Sequence, residues 1–253
     1  MKKNSGILKT VVGIVIIAGL FFVVFYFQSR LRDKTADITE NKYDQTEIFQ
    51  NGGGDINTLK TVEEKEVQLP ASYLLSAQFA SQAPFGDWSQ PYQDACEEAS
   101  IIITKHYLES KGLTKDEMKT EIDQSVNWQK EKWGVHKDLD AQMTLLLARQ
   151  YFGLNGKVLA GYDTALIKKY ISSGTPVIAP TAGRKLGNPN FTGTGPEYHM
   201  LVIIGYDDAR GIFITNDPGT RKGEKYIYKY QTLLDAVSGP NENMTKELIV
   251  LKK

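Results

Sequence analysis

Length, composition and charge exclude several classes of protein for this 253-residue chain. Its 30 basic and 30 acidic side chains give a formal net charge of zero, so we expect no broad cationic surface for binding DNA or RNA. The chain is long enough to bury a substantial core, and its one cysteine, Cys96, excludes both an intramolecular disulfide framework and a cysteine-rich zinc site.

The first feature along the chain is an apolar segment with no charged side chain, residues 10–29. About 20 apolar residues match the hydrocarbon core of a bilayer, whereas the apolar region of a secretory signal is usually about 7 to 15 residues. No small-residue cleavage site follows before Arg30. The sequence therefore predicts an uncleaved single-pass transmembrane anchor over residues 1–29.

The orientation of this anchor is not decided by charge, because basic residues flank the segment on both sides. A short N-terminal tail before a first span usually stays inside the cell. We therefore expect the rest of the chain to lie on the extracytoplasmic side of the cell membrane.

The composition changes twice after the anchor. Residues 30–70 are polar and charged, contain the glycine run 52–54 and have no apolar period, which is typical of a flexible linker. Residues 71–253 mix apolar and aromatic side chains in short periodic segments. We interpret them as one domain.

Periodicity within this domain predicts mainly helices in its first half and strands in its second half. Thr114 followed by Glu117, and Asp163 before an apolar run, are typical helix caps. The predicted helices are 95–110, 114–133, 138–152 and 163–173, and the predicted strands are 157–161, 176–180, 200–206, 211–215, 226–230 and 248–251. Helices followed by an antiparallel sheet imply an α+β fold.

Cys96 opens the first predicted helix of the domain. Unpaired backbone N–H groups and the helix dipole favour a thiolate at such a position, so we expect a lowered pKa for the Cys96 thiol. Glu97 and Glu98 in the same turn oppose this effect unless their side chains point away. The alternative for Cys96 is a small buried side chain that serves only packing.

His199 immediately precedes the apolar strand 200–204, so we expect it to be exposed to a cleft at the mouth of that strand. The next predicted strand is followed by Asn216, Asp217 and Pro218. A hairpin between the two strands would bring an acid or amide beside the imidazole, and either Asn216 or Asp217 could orient it. The alternatives are a strand-edge histidine and an ordinary turn residue.

Other residues near these segments have weaker signals. His106 and His136 lack a partner at metal-ligand spacing, so we predict that both serve packing or surface roles and that the protein holds no metal and no cofactor. The glycine-rich segment 183–196 leads into His199 and could cover the cleft. Trp88 and Tyr198 could line a substrate groove.

Several of these residues together carry a family resemblance. They are Ser81 and Gln82, the run 96–100, His199 with its apolar strand and the following Gly205, Tyr206 and Asp207, and Asp217 with Pro218. In order and context they resemble the peptidases that remove double-glycine leaders from bacteriocins, and their wider papain-like relatives. The resemblance covers about residues 70–253. One departure is Glu97, which stands where many members have glycine.

The resemblance implies a papain-like cysteine peptidase fold and a set of residue roles. Cys96 would attack a peptide carbonyl, His199 would take and return the proton, and Asp217 would hold the imidazole. Gln82 would donate its side-chain amide to the oxyanion together with the Cys96 backbone N–H. Because the family's glutamine usually lies closer to the cysteine, Gln90 and Gln93 remain rivals for this role.

The resulting hypothesis is a membrane-anchored cysteine peptidase acting on a peptide or protein substrate. One alternative is a non-catalytic module that uses the same fold to bind a peptide. Another is a cell-wall amidase or acyl transferase with the same cysteine and histidine, since a fold and a dyad do not determine the substrate.

Overall fold

The computed structural model describes residues 68–241 and 246–253. The predicted anchor, residues 1–29, lies outside these ranges, as does the predicted linker up to residue 67. Within the described ranges, no helix combines the length and the apolar character that crossing a membrane requires.

The described residues form helices and strands in the predicted general order. The helices are α1 (Cys96–Leu108), α2 (Lys115–Trp133), α3 (Ala141–Gln150), α4 (Thr164–Ser172), α5 (Gly183–Leu186) and α6 (Tyr230–Ala236), with a 3-10 turn at Tyr92–Asp94. The strands are β1 (Ser72–Leu74), β2 (Asn155–Leu159), β3 (Val177–Thr181), β4 (His199–Asp207), β5 (Ile212–Asn216), β6 (Tyr226–Lys229) and β7 (Leu248–Lys252). The prediction of an α+β fold with an antiparallel sheet is confirmed.

All seven strands belong to one antiparallel sheet in the order β2-β7-β3-β4-β5-β6, and β1 pairs with the far end of β4. Strand β4 lies centrally: Thr181 of β3 pairs with His199, and Asn216 of β5 pairs with Val202. Helices α1 and α4 both pack on β4. This explains why β4 is a continuous apolar run, since it is buried along nearly its whole length.

Helix α1 is the central helix of the domain. Every residue from 96 to 104 is buried, including the apolar run 101–103. A helix segment that is buried on all sides, polar side chains included, lies inside the core, and this one packs against the sheet. Cys96, its first residue, is thereby held at a fixed position at the end of the core.

Capping side chains mark where three of the helices begin. The predicted capping box at Thr114 and Glu117 is present, and the Asp163 side chain accepts a hydrogen bond from the Leu166 N–H as predicted. Helix α3 begins later than predicted, because Asp140 caps it through the Met143 N–H. Residues 138–139 therefore lie in the segment before the helix.

Besides the 3-10 turn, three short elements were not predicted: β1, α5 and α6. They have three, four and seven residues, which is too short for a periodic pattern to develop. Strand β1 exists because its register partner β4 offers a free edge at residues 205–207. Such tertiary pairing leaves no local sequence signal.

Candidate active site

Cys96 and His199 line one cleft of about 630 Å³. Cys96 is the first residue of α1 and His199 is the first residue of β4, so the packing of this helix on this strand brings them to the same end of the core. The cleft is also lined by Gln82, Trp88, Gln93, Asp94, Asp138, Phe191, Thr192, Gly195, Pro196, Glu197, Tyr198 and Gly219.

His199 is hydrogen bonded to Asp217, with 2.7 Å between Nε2 and Oδ1. Asp217 follows β5 directly, which brings it close to the first residue of the neighbouring β4. The Asn216 side chain is used elsewhere, because its Nδ2 donates to the backbone carbonyls of Ala77 and Gln78. Of the two residues left open by the sequence, Asp217 is the one in contact with the imidazole. Since Nε2 is engaged, Nδ1 is the ring nitrogen left to exchange a proton with a thiol.

The Asp217 carboxylate is fully buried and accepts hydrogen bonds at both oxygens. Besides His199, the Gly219 N–H donates to Oδ1 at 3.1 Å, and the Tyr228 hydroxyl and Asn188 Nδ2 donate to Oδ2 at 2.6 and 3.3 Å. Burial alone would raise the pKa of Asp217, but the charge of His199 and the hydrogen bonds from His199, Tyr228 and Gly219 hold it below its usual value. Asp217 is therefore ionised and able to orient an imidazole.

Sequence reasoning missed Tyr228 and Asn188. Tyr228 lies in β6 and Asn188 in the segment after α5, 11 and 29 residues from Asp217 in sequence. Asn188 also donates to the Tyr228 hydroxyl at 2.8 Å, so the two form one network behind the carboxylate. No motif or periodicity marks either residue.

The His199 ring is enclosed by its neighbours. Phe191 packs edge-on against it with ring centroids 5.3 Å apart, and a Cβ at Gly219 would lie 2.6 Å from His199 Cε1. Only 2% of His199 is exposed. The expectation of an exposed histidine was therefore wrong. Phe191 and Gly219 pack against the imidazole and bury it, although His199 still lines the cleft.

The Cys96 thiol is buried and forms its hydrogen bond with Glu97. Sγ lies 3.1 Å from Glu97 Oε2, and this is the hydrogen bond that the structure gives it among the described residues. Burial first, and then the Glu97 charge, raise the pKa of Cys96 well above its usual value. The expectation of a lowered thiol pKa was wrong, because desolvation and an adjacent carboxylate outweigh the helix dipole.

Gln82 is buried in the wall of the cleft, and both N–H groups of its amide are used. Nε2 donates to the backbone carbonyls of Tyr92 at 2.9 Å and Gln93 at 3.0 Å, while Oε1 has no partner. Reversing the amide would set Oε1 against two carbonyl oxygens, so this orientation is fixed by the network.

The two rival glutamines lie in more open positions. Gln90 is exposed and donates through Nε2 to Asp94 Oδ2, and Gln93 is also exposed, although it lines the cleft. Gln82 is therefore the one of the three candidates that is both buried and part of the cleft wall.

The walls of the cleft come largely from the segment before β4. Trp88 and Tyr198 line the cleft as expected, and the glycine-rich segment contributes four of its wall residues, Phe191, Thr192, Gly195 and Pro196. The Tyr198 hydroxyl donates to the Leu139 carbonyl at 2.6 Å, which ties this wall to the segment before α3.

The remaining histidines lie outside the cleft. His106 Nε2 lies 2.6 Å from Glu121 Oε1, and His136 Nε2 lies 3.5 Å from Glu98 Oε1. Across residues 68–241 and 246–253 no three or more histidine, cysteine, aspartate or glutamate side chains are grouped so that they could hold a metal ion.

Comparison with known proteins identifies the family. Residues 75–246 match the Peptidase_C39 like family. The chain belongs to this family. The resemblance to papain-like cysteine peptidases related to the bacteriocin-processing enzymes is thereby confirmed, and the peptidase class it implies applies to the family as a whole. No sequence among the curated proteins matches the chain.

Two solved structures resemble this member of the Peptidase_C39 like family. A putative C39-like peptidase from Bacillus anthracis is 17% identical, with a TM-score of 0.49 over 72% of this chain and 98% of that one. Xylellain, a cysteine protease from Xylella fastidiosa, is 12% identical, with a TM-score of 0.39 over 74% of this chain and 87% of that one.

Proposed function

We propose that this protein is a membrane-anchored cysteine peptidase that hydrolyses peptide bonds through Cys96, His199 and Asp217. The observation that carries the proposal is the buried hydrogen bond between His199 and Asp217 in the same cleft as the chain's one cysteine. A nucleophile, a base and a group that orients the base are the three parts that acyl transfer by a thiol requires. Family membership supports the peptidase class.

The chemistry proceeds in two balanced steps. The Cys96 thiol gives its proton to His199 Nδ1, and Sγ bonds to the peptide carbonyl carbon. The C–N bond then breaks as the imidazolium returns the proton to the departing amine. Water attacks the thioester, giving its proton to His199, and the C–S bond breaks to release the acid and restore the thiol. Asp217 keeps the ring oriented and stabilises the imidazolium.

The tetrahedral intermediate needs two hydrogen-bond donors for its oxyanion. The Cys96 N–H lies at the N-terminus of α1, where the first backbone N–H groups have no intrahelical acceptor. We assign the second donor to Gln82. Its bond to Tyr92 is buried, whereas its bond to the exposed Gln93 is only partly buried, so the N–H directed at Gln93 is the one that an oxyanion can share with that carbonyl without a change in the amide orientation.

The location belongs to the proposal as well. The uncharged segment 10–29 supports a membrane anchor, and the catalytic domain is proposed to lie on the extracytoplasmic side. Fractionation of cells expressing the full chain, followed by protease treatment of intact spheroplasts, tests both points. We expect the protein in the membrane fraction and degraded by external protease. Recovery in the soluble fraction contradicts the anchor, and protection from protease contradicts the orientation.

The activity is tested by incubating the purified full chain with a complex peptide mixture and identifying new termini by mass spectrometry. We expect cleavage by the wild type and none by Cys96→Ala or His199→Ala, with circular dichroism confirming that both variants fold. Cleavage by Cys96→Ala contradicts the proposal. Peptides retained by the wild type without cleavage would instead favour the binding module, and release of ammonia or of cell-wall amines would favour the amidase.

A further inference from the structure

The side chain after the candidate nucleophile is a buried carboxylate turned onto the sulfur. Glu97 is 1% exposed, its Oε2 lies 3.1 Å from Cys96 Sγ, and its Oε1 accepts a hydrogen bond from the Leu139 N–H at 2.7 Å. The Leu139 carbonyl is held in turn by the Tyr198 hydroxyl. Both backbone polar groups of Leu139 are therefore hydrogen bonded, and its N–H holds the Glu97 carboxylate beside the thiol.

The charges around this pair are mostly negative. Glu98 lies on the same helix, Asp138 in the segment before α3 and Asp94 in the 3-10 turn, while Tyr198 precedes β4 and His199 begins it. Among the described residues no lysine or arginine pairs with Glu97 or lines the cleft. Burial, and then the Glu98 charge, raise the pKa of Glu97 well above its usual value.

The position of one proton decides whether the thiol can react. In water a thiol loses its proton about 4 pH units above a glutamic acid, so a single shared proton stays on sulfur and Cys96 donates to the carboxylate. Forming a thiolate beside an ionised Glu97 would then place two buried negative charges at 3.1 Å, which strongly opposes ionisation. With Glu97 protonated, its O–H can donate to the thiolate, and a single negative charge faces His199.

We propose that Glu97 gates Cys96 by its protonation: the thiolate–imidazolium pair forms when Glu97 carries a proton and is suppressed when Glu97 is ionised. This deepens the proposed function, on which it rests, by assigning a regulation to the same site. The proton count balances, because the site takes up one proton at Glu97 while the thiol proton moves to His199. A pH below the pKa of Glu97 therefore activates the thiol, and a pH above it restrains the thiol.

The test is the rate at which iodoacetamide alkylates Cys96 in the full chain between about pH 4 and pH 10. For the wild type we expect a maximum on the acid side, a fall as Glu97 ionises and a second rise at high pH. Glu97→Gln keeps an oxygen for the Leu139 N–H but carries no charge. We expect it to lose the fall and to react at least about tenfold faster than the wild type at a pH above that fall.

Glu98→Gln is the matched control, since it removes a buried carboxylate of the same helical turn that does not touch Sγ. Because the Glu98 charge helps to raise the pKa of Glu97, we expect its profile to keep the maximum and the fall, with the fall moved to lower pH. Its rate above the fall should be no more than about threefold that of the wild type. A wild-type rate that rises steadily with pH overturns the proposal without any variant. A Glu97→Gln profile like that of the wild type also overturns it. So does a Glu98→Gln variant that loses the fall and reacts as fast as Glu97→Gln.

Alkylation measures the reactivity of the Cys96 thiol, and peptide cleavage measures the peptidase activity. The two proposals can therefore fail separately. If the labelling profile is as expected and no peptide is cleaved, the gate stands and the peptidase function is wrong. If peptides are cleaved through Cys96 and the profile rises steadily, the peptidase stands and the gate is wrong.

Discussion

His199 Nε2 and Asp217 Oδ1 lie 2.7 Å apart in a site where neither residue is more than 2% exposed. In this environment the bond is not weakened by competing water, and the imidazole can present only Nδ1 to the cleft. The orientation of the His199 imidazole therefore depends on how firmly the Asp217 carboxylate is held. Its other hydrogen-bond donors, Gly219, Tyr228 and Asn188, hold it in place.

Removing one donor tests this dependence. In Tyr228→Phe the carboxylate loses its 2.6 Å partner and keeps only Asn188 on Oδ2. We expect kcat to fall by about tenfold, in keeping with one lost hydrogen bond to a charged group, ~1.5–3 kcal/mol. The same loss raises the pKa of Asp217, so the activity that disappears as pH falls will disappear at a higher pH. The pH profile of kcat measures both effects.

Tyr226→Phe is the control for that variant. The Tyr226 ring packs 4.9 Å from the Tyr228 ring but its hydroxyl makes no contact with Asp217 among the described hydrogen bonds. We expect kcat and its pH profile to match the wild type. Equal effects of the two substitutions would mean that packing of β6, rather than the bond to Asp217, supports the site.

The turn after Asp217 restricts the imidazole by close approach. A Cβ at Gly219 would lie 2.6 Å from His199 Cε1 and 3.0 Å from Nε2, so Gly219→Ala must displace the ring. We expect kcat to fall by about 10²-fold, because a small misplacement of a catalytic group is costly. Gly161→Ala, whose added Cβ meets nothing within 4 Å, should leave kcat unchanged. A Gly219→Ala enzyme with wild-type kcat contradicts the described position of the ring.

Gln82→Ala separates a structural from a chemical role for this amide. Two backbone carbonyls lose their donor, so we expect the free energy of unfolding to fall by about 1 to 3 kcal/mol. Loss of an oxyanion donor should in addition lower kcat by about 10² to 10³. The exposed Gln90→Ala should change neither quantity. Lower stability with an unchanged kcat would restrict Gln82 to holding the 3-10 turn.

The buried Glu97 carboxyl makes stability depend on pH in a definite direction. Its pKa is raised in the folded protein, so its contribution to stability is complete below the unfolded pKa of about 4.3 and is lost as pH rises through the folded value. We expect Glu97→Gln to be more stable than the wild type at pH 7 by about 1 to 3 kcal/mol and similar near pH 4. Urea unfolding at both pH values measures this.

The exposed Glu131→Gln provides the reference for that comparison, because Glu131 forms no ion pair among the described residues. Its stability should follow the wild type at both pH values. A Glu97→Gln protein that gains no stability at pH 7 would show that folding does not raise the pKa of this carboxyl.

The residues that could be predicted from the sequence lie in recognisable local patterns, and the residues that were missed do not. The apolar run after His199 predicts the central strand because both faces of β4 are buried, and the Thr114–Glu117 pair predicts a helix start through its own hydrogen bonds. A short hairpin confines where the end of β5 can lie, which left Asn216 and Asp217 as candidates, and the family resemblance implied Asp217. These features depend on neighbours within a few residues.

The environment of the thiol could not be predicted in the same way. The direction of the Glu97 side chain depends on the Leu139 N–H, 42 residues further along, and the support of Asp217 depends on Tyr228 and Asn188. The sequence placed Cys96 correctly at a helix N-terminus, but its surroundings reverse the effect of that position on its pKa. Long-range packing, which no local pattern records, decides which effect is larger.

The central claim is that Cys96 is the acylated nucleophile of a peptidase. The most direct measurement is to quench the enzyme with acid during turnover of a peptide ester and to analyse the fragment that contains Cys96 by mass spectrometry. We expect that fragment to carry the acyl group in the wild type and to remain unmodified in His199→Ala. Turnover of the ester with no acyl group on Cys96, or turnover that continues in Cys96→Ala, would contradict the claim.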